Sequence, residues 1–144
     1  MPQTVLAIDD TQKVLDIIQQ YLEDDGYRVL TCKDPLEGIE VAKKSSVDLL
    51  LLDIMMPGMD GYTVYDRLKS DPKTRDIPVI MLTAKAVIMH TPKDFFYGLY
   101  GFIAKPFSKG QLLRIVNDIL RMTRVQGETT RIIRSVEGDE EGSS

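Results

Sequence analysis

Leu49-Leu50-Leu51-Leu52-Asp53-Ile54-Met55-Met56-Pro57-Gly58-Met59-Asp60-Gly61 is the stretch on which the fold turns. Four consecutive leucines predict a strand buried on both faces, because a strand with one wet face alternates apolar with polar side chains. The run ends in an acid, and Pro57, Gly58 and Gly61 then force the chain to turn. A carboxylate at the C-terminal end of such a strand lies at the sheet edge where open parallel sheets bind their ligands. Asp53 is therefore the first candidate for chemistry.

The segments on either side repeat this arrangement. Val5-Leu6-Ala7-Ile8 is a short apolar run that also ends in acids, Asp9 and Asp10. From Thr11 to Asp25 the residues Val14, Leu15, Ile17, Ile18 and Leu22 recur at helical spacing, and Gly26 supplies the stop. Tyr27 to Cys32 reads as a strand, and Asp34 with Pro35 opens a helix running to about Ser45. Tyr62 to Ser70 is a third helix. Ile77-Pro78-Val79-Ile80-Met81-Leu82 is a fourth strand ending in Thr83-Ala84, with its proline at the start, where a missing donor is tolerated. Lys85 to Leu99 should be helical, yet Pro92 requires either a start near that proline or a kink there. Gly101-Phe102-Ile103-Ala104 is a fifth strand ended by Lys105-Pro106-Phe107, and Ser108 caps a last helix to about Thr123.

Five strands alternating with five helices predict an α/β fold, a parallel sheet covered on both faces. Right-handed crossovers leave few topologies. A chain of 144 residues suits one domain, with residues 1–124 as the folded unit. From Val125 to Ser144 the sequence becomes acidic, glycine-rich and serine-terminated, and is expected to be a linker or disordered tail. The single Cys32 forms no intramolecular disulfide and points to a reducing compartment. No apolar run reaches the ~18 residues of a membrane span, and the N-terminus lacks the basic start of a secretory signal, so a cytoplasmic location is expected. A net charge of -4 argues against direct nucleic-acid binding by this chain. His90, the only histidine, is expected at the surface.

In a parallel sheet all strand C-termini share one edge, which gathers Asp9, Asp10, Asp53, Thr83 and Lys105. Three carboxylates held together repel by about 4 kcal/mol per pair at an effective dielectric near 20, so the site calls for a cation. Magnesium suits an all-oxygen donor set and leaves coordination positions for water or substrate oxygens. A metal, a hydroxyl and an ammonium beside a carboxylate together suit a phosphoryl group, which the carboxylate can attack as nucleophile.

Val5 to Asp10, Leu51 to Gly61, Pro78 to Ala84 and Phe102 to Phe107 together resemble the receiver domain of two-component response regulators, close in size to the single-domain chemotaxis type. The resemblance covers about residues 1 to 124. It implies a flavodoxin-like doubly wound sheet of strand order 2-1-3-4-5. It also implies that Asp53 accepts a phosphoryl group from a sensor histidine kinase or a histidine phosphotransfer protein. Asp10, Asp53 and the backbone carbonyl of Met55 would bind magnesium, with Asp9 assisting through water, and Thr83 and Lys105 would contact the phosphoryl oxygens. The Lys105-Pro106 bond is expected to be cis. Phe102 takes the place of the aromatic switch residue that packs inward as the threonine moves toward the phosphoryl group.

One segment departs from the family pattern. Phe95-Phe96-Tyr97-Gly98-Leu99-Tyr100 stands where the family carries a polar fourth helix, so Phe96, Tyr97 and Tyr100 are candidates for an apolar interface formed by the fourth helix, fifth strand and fifth helix. A downstream protein or a second copy would dock there. Two other functions compete with the switch. A magnesium-dependent phosphatase working through an aspartyl phosphate would need a second acid two residues after the nucleophile, where this chain has Met55, which cannot protonate a leaving group. A scaffold that never uses the acid would leave the joint occurrence of acids, threonine and lysine unexplained.

Overall fold

The computed structural model describes residues 2–90 and 99–123. The strands are β1 (Thr4–Ile8), β2 (Arg28–Cys32), β3 (Leu49–Asp53), β4 (Val79–Ala84) and β5 (Gly101–Lys105). Between them lie α1 (Gln12–Glu23), α2 (Pro35–Lys44), α3 (Gly61–Ser70) and α4 (Lys85–His90), and α5 covers residues 109–123. All strand pairs are parallel, in the order β2-β1-β3-β4-β5. This is the α/β doubly wound topology expected from the sequence.

The leucine run behaves as its composition requires. Leu49, Leu50, Leu51 and Leu52 are all fully buried, and they divide between two cores. Leu49 and Leu51 join Val5, Ala7, Leu15, Ile18, Ile80, Leu112 and Val116 on the side covered by α1 and α5. Leu50 and Leu52 join Leu6, Ile8, Ile39, Val64, Leu68 and Met81 on the side covered by α2 and α3. Each buried leucine contributes about 2 kcal/mol of apolar transfer free energy, and the two-sided burial is why the run does not alternate.

Several ends are set by side chains. Asp34 caps α2, accepting from the Leu36 N–H. Asp60 caps α3, accepting from the Thr63 N–H at 2.9 Å. Ser108 and Gln111 form a reciprocal capping box at the start of α5: the Ser108 hydroxyl accepts from the Gln111 N–H at 3.1 Å and the Gln111 side chain from the Ser108 N–H at 2.8 Å. In the troublesome fourth segment a helix is under way at Lys85, directly after β4, so a start at Pro92 does not describe it. Pro92 itself, with the rest of 91–98, lies outside the described residues, as does the expected tail from 125 to 144. Strand β4 ends in Thr83 and Ala84, as expected, and begins at Val79, so that Ile77 and Pro78 fall just outside it. Cys32 is buried, as a structural residue should be, and His90 is exposed. Among the described residues no helix is long and apolar enough to cross a membrane.

Candidate phosphoacceptor site

Strand register assembles the site. Ile8 pairs with Leu52, so the chain leaves β1 at Asp9 beside the place where β3 ends in Asp53. Asp53 pairs with Leu82, which puts Thr83 one step nearer the rim, and Ala84 pairs with Lys105. Thus three neighbouring strands and the edge strand deliver their last residues to one corner of the sheet. The turn after β3 is held tight by Gly61. Its N–H donates to the Ile54 carbonyl at 2.7 Å, and a Cβ there would come within 2.4 Å of the Asp53 carbonyl oxygen and 2.7 Å of Ile54 Cα. Only glycine permits that approach, and it sets the direction in which the loop leaves Asp53.

Carboxylate oxygens of Asp9, Asp10 and Asp53 lie within 4.8 Å of one another. Asp9 is fully buried, with one oxygen accepting from the Thr11 N–H at 2.9 Å and the other from Lys105 Nζ at 2.6 Å. Lys105 is 3.5 Å from Asp53 Oδ2, so the ammonium sits between the two acids and closer to Asp9. The Met55 N–H donates to Asp53 Oδ1 at 3.2 Å. Thr83 is buried at the same edge, and the Lys105-Pro106 bond is cis, as expected.

Burial, and next the negative charge of Asp9, push the Asp53 carboxyl up to about 6, against the downward pull of Lys105 and of the Met55 N–H; Asp10 adds a smaller upward push. At neutral pH Asp53 is still ionised and available as a nucleophile. Three carboxylates face one ammonium, which leaves an uncompensated charge of about two units in an oxygen-rich corner. A hard divalent cation fits that donor set and that deficit.

Against this geometry the comparisons with known proteins are decisive. Residues 5–117 match the family model for the response regulator receiver domain. The chain belongs to that family. The DNA-binding dual master transcriptional regulator RpaA of Synechocystis is 39% identical over 123 residues, which are 85% of this chain and 51% of that protein. This receiver chain spans about half the length of the curated relatives it matches. Chemotaxis response regulator CheY4 of Vibrio cholerae superposes with a TM-score of 0.74 at 28% identity, covering 83% of this chain and 99% of that one. The receiver domain of sensor histidine kinase PA1611 from Pseudomonas aeruginosa superposes with a TM-score of 0.75 at 27% identity, over 83% and 98% of the two chains, and holds a magnesium ion coordinated in its active site cleft.

The structure thus brings together Asp9, Asp10, Asp53, Thr83 and Lys105, and leaves the interface candidates less complete. Phe102 is 47% exposed and turned to the surface beside Arg114 and Ile115. Tyr100 is half-buried and packs on the core under α1 and α5. Phe96 and Tyr97 lie outside the described residues. Two features escaped the sequence reading. One is Gly61, whose spacing from Asp53 was legible only as a turn. The other is the Asp9–Thr11 bond, which an acid two residues ahead of a helix N-cap could have suggested as an Asx turn.

Proposed function

We propose that this receiver domain is the phosphoacceptor switch of a two-component phosphorelay, with Asp53 as the residue modified. What carries the reading is one juxtaposition: a buried, ionised Asp53 flanked by Asp9, Asp10 and Lys105, with Thr83 at the same rim. An Asp53 oxygen attacks the phosphorus of a phosphohistidine on a sensor kinase or phosphotransfer protein. The phosphorus–nitrogen bond breaks, imidazole leaves, and the carboxylate becomes an acyl phosphate. Asp10, Asp53 and the Met55 carbonyl would hold magnesium, and Asp9 would assist through water. When bound, that ion neutralises phosphoryl oxygens and the charge that develops on them. Lys105, released from Asp9, and the Thr83 hydroxyl contact the remaining phosphoryl oxygens.

Movement of Thr83 toward the phosphoryl group vacates space behind it, and Phe102, now about half exposed, packs inward. The surface of the fourth helix, β5 and α5 would change with it and present itself to a downstream protein or to a second copy. Residues 1–124 are then the switch and 125–144 a linker or tail. The chain is not proposed as an enzyme acting on outside substrates, because the exposed Met55 offers no proton to a leaving group. Incubation with acetyl phosphate and magnesium followed by intact mass measurement tests this. A single adduct of about 80 Da that is absent in Asp53→Ala supports the switch. Rapid phosphate release from many esters would favour a phosphatase, and no adduct would favour a scaffold.

A further inference from the structure

The loop that follows the phosphoacceptor is rich in methionine, and its methionines are unequally placed. Met55 is 61% exposed, whereas Met56, the next residue, is buried, and Met81 on β4 is fully buried. Among the described residues Met89, on α4, is the other strongly exposed one. Met55 sits at an open depression of about 460 Å³ shared with Met56, Pro57, Asp60 and Tyr62, wide enough for a small oxidant. Its own backbone N–H holds Asp53 Oδ1. The most accessible sulfur near the site therefore belongs to the residue that positions the nucleophile.

We propose that Met55 is a site of reversible oxidation that makes the phosphoacceptor site sensitive to peroxide. Hydrogen peroxide transfers one oxygen to the thioether: a sulfur–oxygen bond forms, the oxygen–oxygen bond breaks, sulfur is oxidised by two electrons and the peroxide leaves as water. The product exchanges an apolar group for a strong hydrogen-bond acceptor on the residue whose N–H holds Asp53 Oδ1. A thioether accepts hydrogen bonds from water poorly, and a sulfoxide accepts them well. Water is the reagent that hydrolyses an acyl phosphate, so oxidation of Met55 shortens the life of the phosphorylated state. Methionine sulfoxide reductase reverses the change. The effect on lifetime rests on the phosphoacceptor reading above, whereas the order of oxidation does not.

The test has two arms. Treatment of the full chain with dilute hydrogen peroxide and peptide mass mapping should find sulfoxide at Met55 and Met89 well before Met56 or Met81; equal rates at all four overturn the assignment. Phosphorylated protein is then followed with and without prior oxidation, each variant compared with its own untreated sample. Oxidation should accelerate phosphoryl loss by about fivefold, the factor that corresponds to one net hydrogen bond made in the transition state. Reductase treatment should reverse the acceleration, Met89→Leu should retain it and Met55→Leu should lose it. An unchanged lifetime in protein fully oxidised at Met55, or an acceleration that persists in Met55→Leu, overturns the proposal. Absence of any phosphoryl adduct before oxidation would instead defeat the phosphoacceptor reading and with it the effect on lifetime, leaving the peptide map to judge the oxidation site.

Discussion

Replacing Asp53 with asparagine should stabilise the metal-free protein at neutral pH. The folded chain releases the Asp53 proton at about 6 and the ordinary value is 3.8, a rise caused chiefly by burial and by Asp9. Between those two values the folded state keeps a proton that the unfolded state has lost, so stability falls as pH rises through the window and stays low above it. A difference of about two units at about 1.4 kcal/mol each makes the ionised carboxylate a burden of about 3 kcal/mol at neutral pH. Asparagine keeps the shape and removes the charge, while Lys105 retains its shorter contact with Asp9 at 2.6 Å. Urea denaturation in the presence of a chelator should therefore show Asp53→Asn more stable than the wild type by up to about 3 kcal/mol at neutral pH, and nearly equal to it below about pH 4. Magnesium should narrow the gap, because an ion that binds only the folded wild type adds about 2.7 kcal/mol at a hundredfold excess over its dissociation constant. An Asp53→Asn protein no more stable than the wild type in chelator at neutral pH would refute the electrostatic account of the site.

Other consequences follow from the same geometry. Lys105→Met leaves the buried Asp9 carboxylate without its cation and should cost about 3 kcal/mol in chelator, read by denaturant titration, with part of the loss recovered on adding magnesium. Gly61→Ala drives a Cβ into the Asp53 carbonyl and Ile54 Cα, backbone atoms that cannot swing aside. It should cost about 2 kcal/mol or more and sharply lower phosphoryl uptake from acetyl phosphate, whereas Gly58→Ala meets no neighbouring atom and is opposed only by its positive φ. Burial, reinforced by Glu37 and Asp34, pushes the Cys32 thiol up to about 11, so a disulfide reagent should modify it slowly in the native chain at neutral pH and fast in denaturant.

The parts of the molecule that were legible in the sequence are those where one physical demand acts alone. Leu49 to Leu52 must be buried on both faces, and nothing else explains four leucines in succession. Acids, a hydroxyl and a lysine at separate strand ends could be assigned to one corner because parallel pairing leaves only one corner to share. Where demands compete, the pattern was ambiguous. Pro92 disfavours helix while Ala86 to Met89 favour it, and the helix begins at Lys85 because β4 ends immediately before it. Side-chain partners were not legible either. That Lys105 lies nearer Asp9 than Asp53 depends on the register of β4 with β5 and of β1 with β3, which no local pattern records. Tyr100 read as a possible interface residue because aromatics look alike in sequence, whether they close a core or stand outside it; here it packs on the core.

The central claim is that Asp53, and no other acid of the cluster, becomes covalently phosphorylated when magnesium is supplied. Borohydride reduction of protein treated with acetyl phosphate and magnesium converts an aspartyl phosphate to homoserine, and peptide sequencing by mass then reads which acid was modified. The account predicts homoserine at position 53 alone, with none when magnesium is withheld. Homoserine at Asp9 or Asp10, or its absence from all three in magnesium, would contradict it.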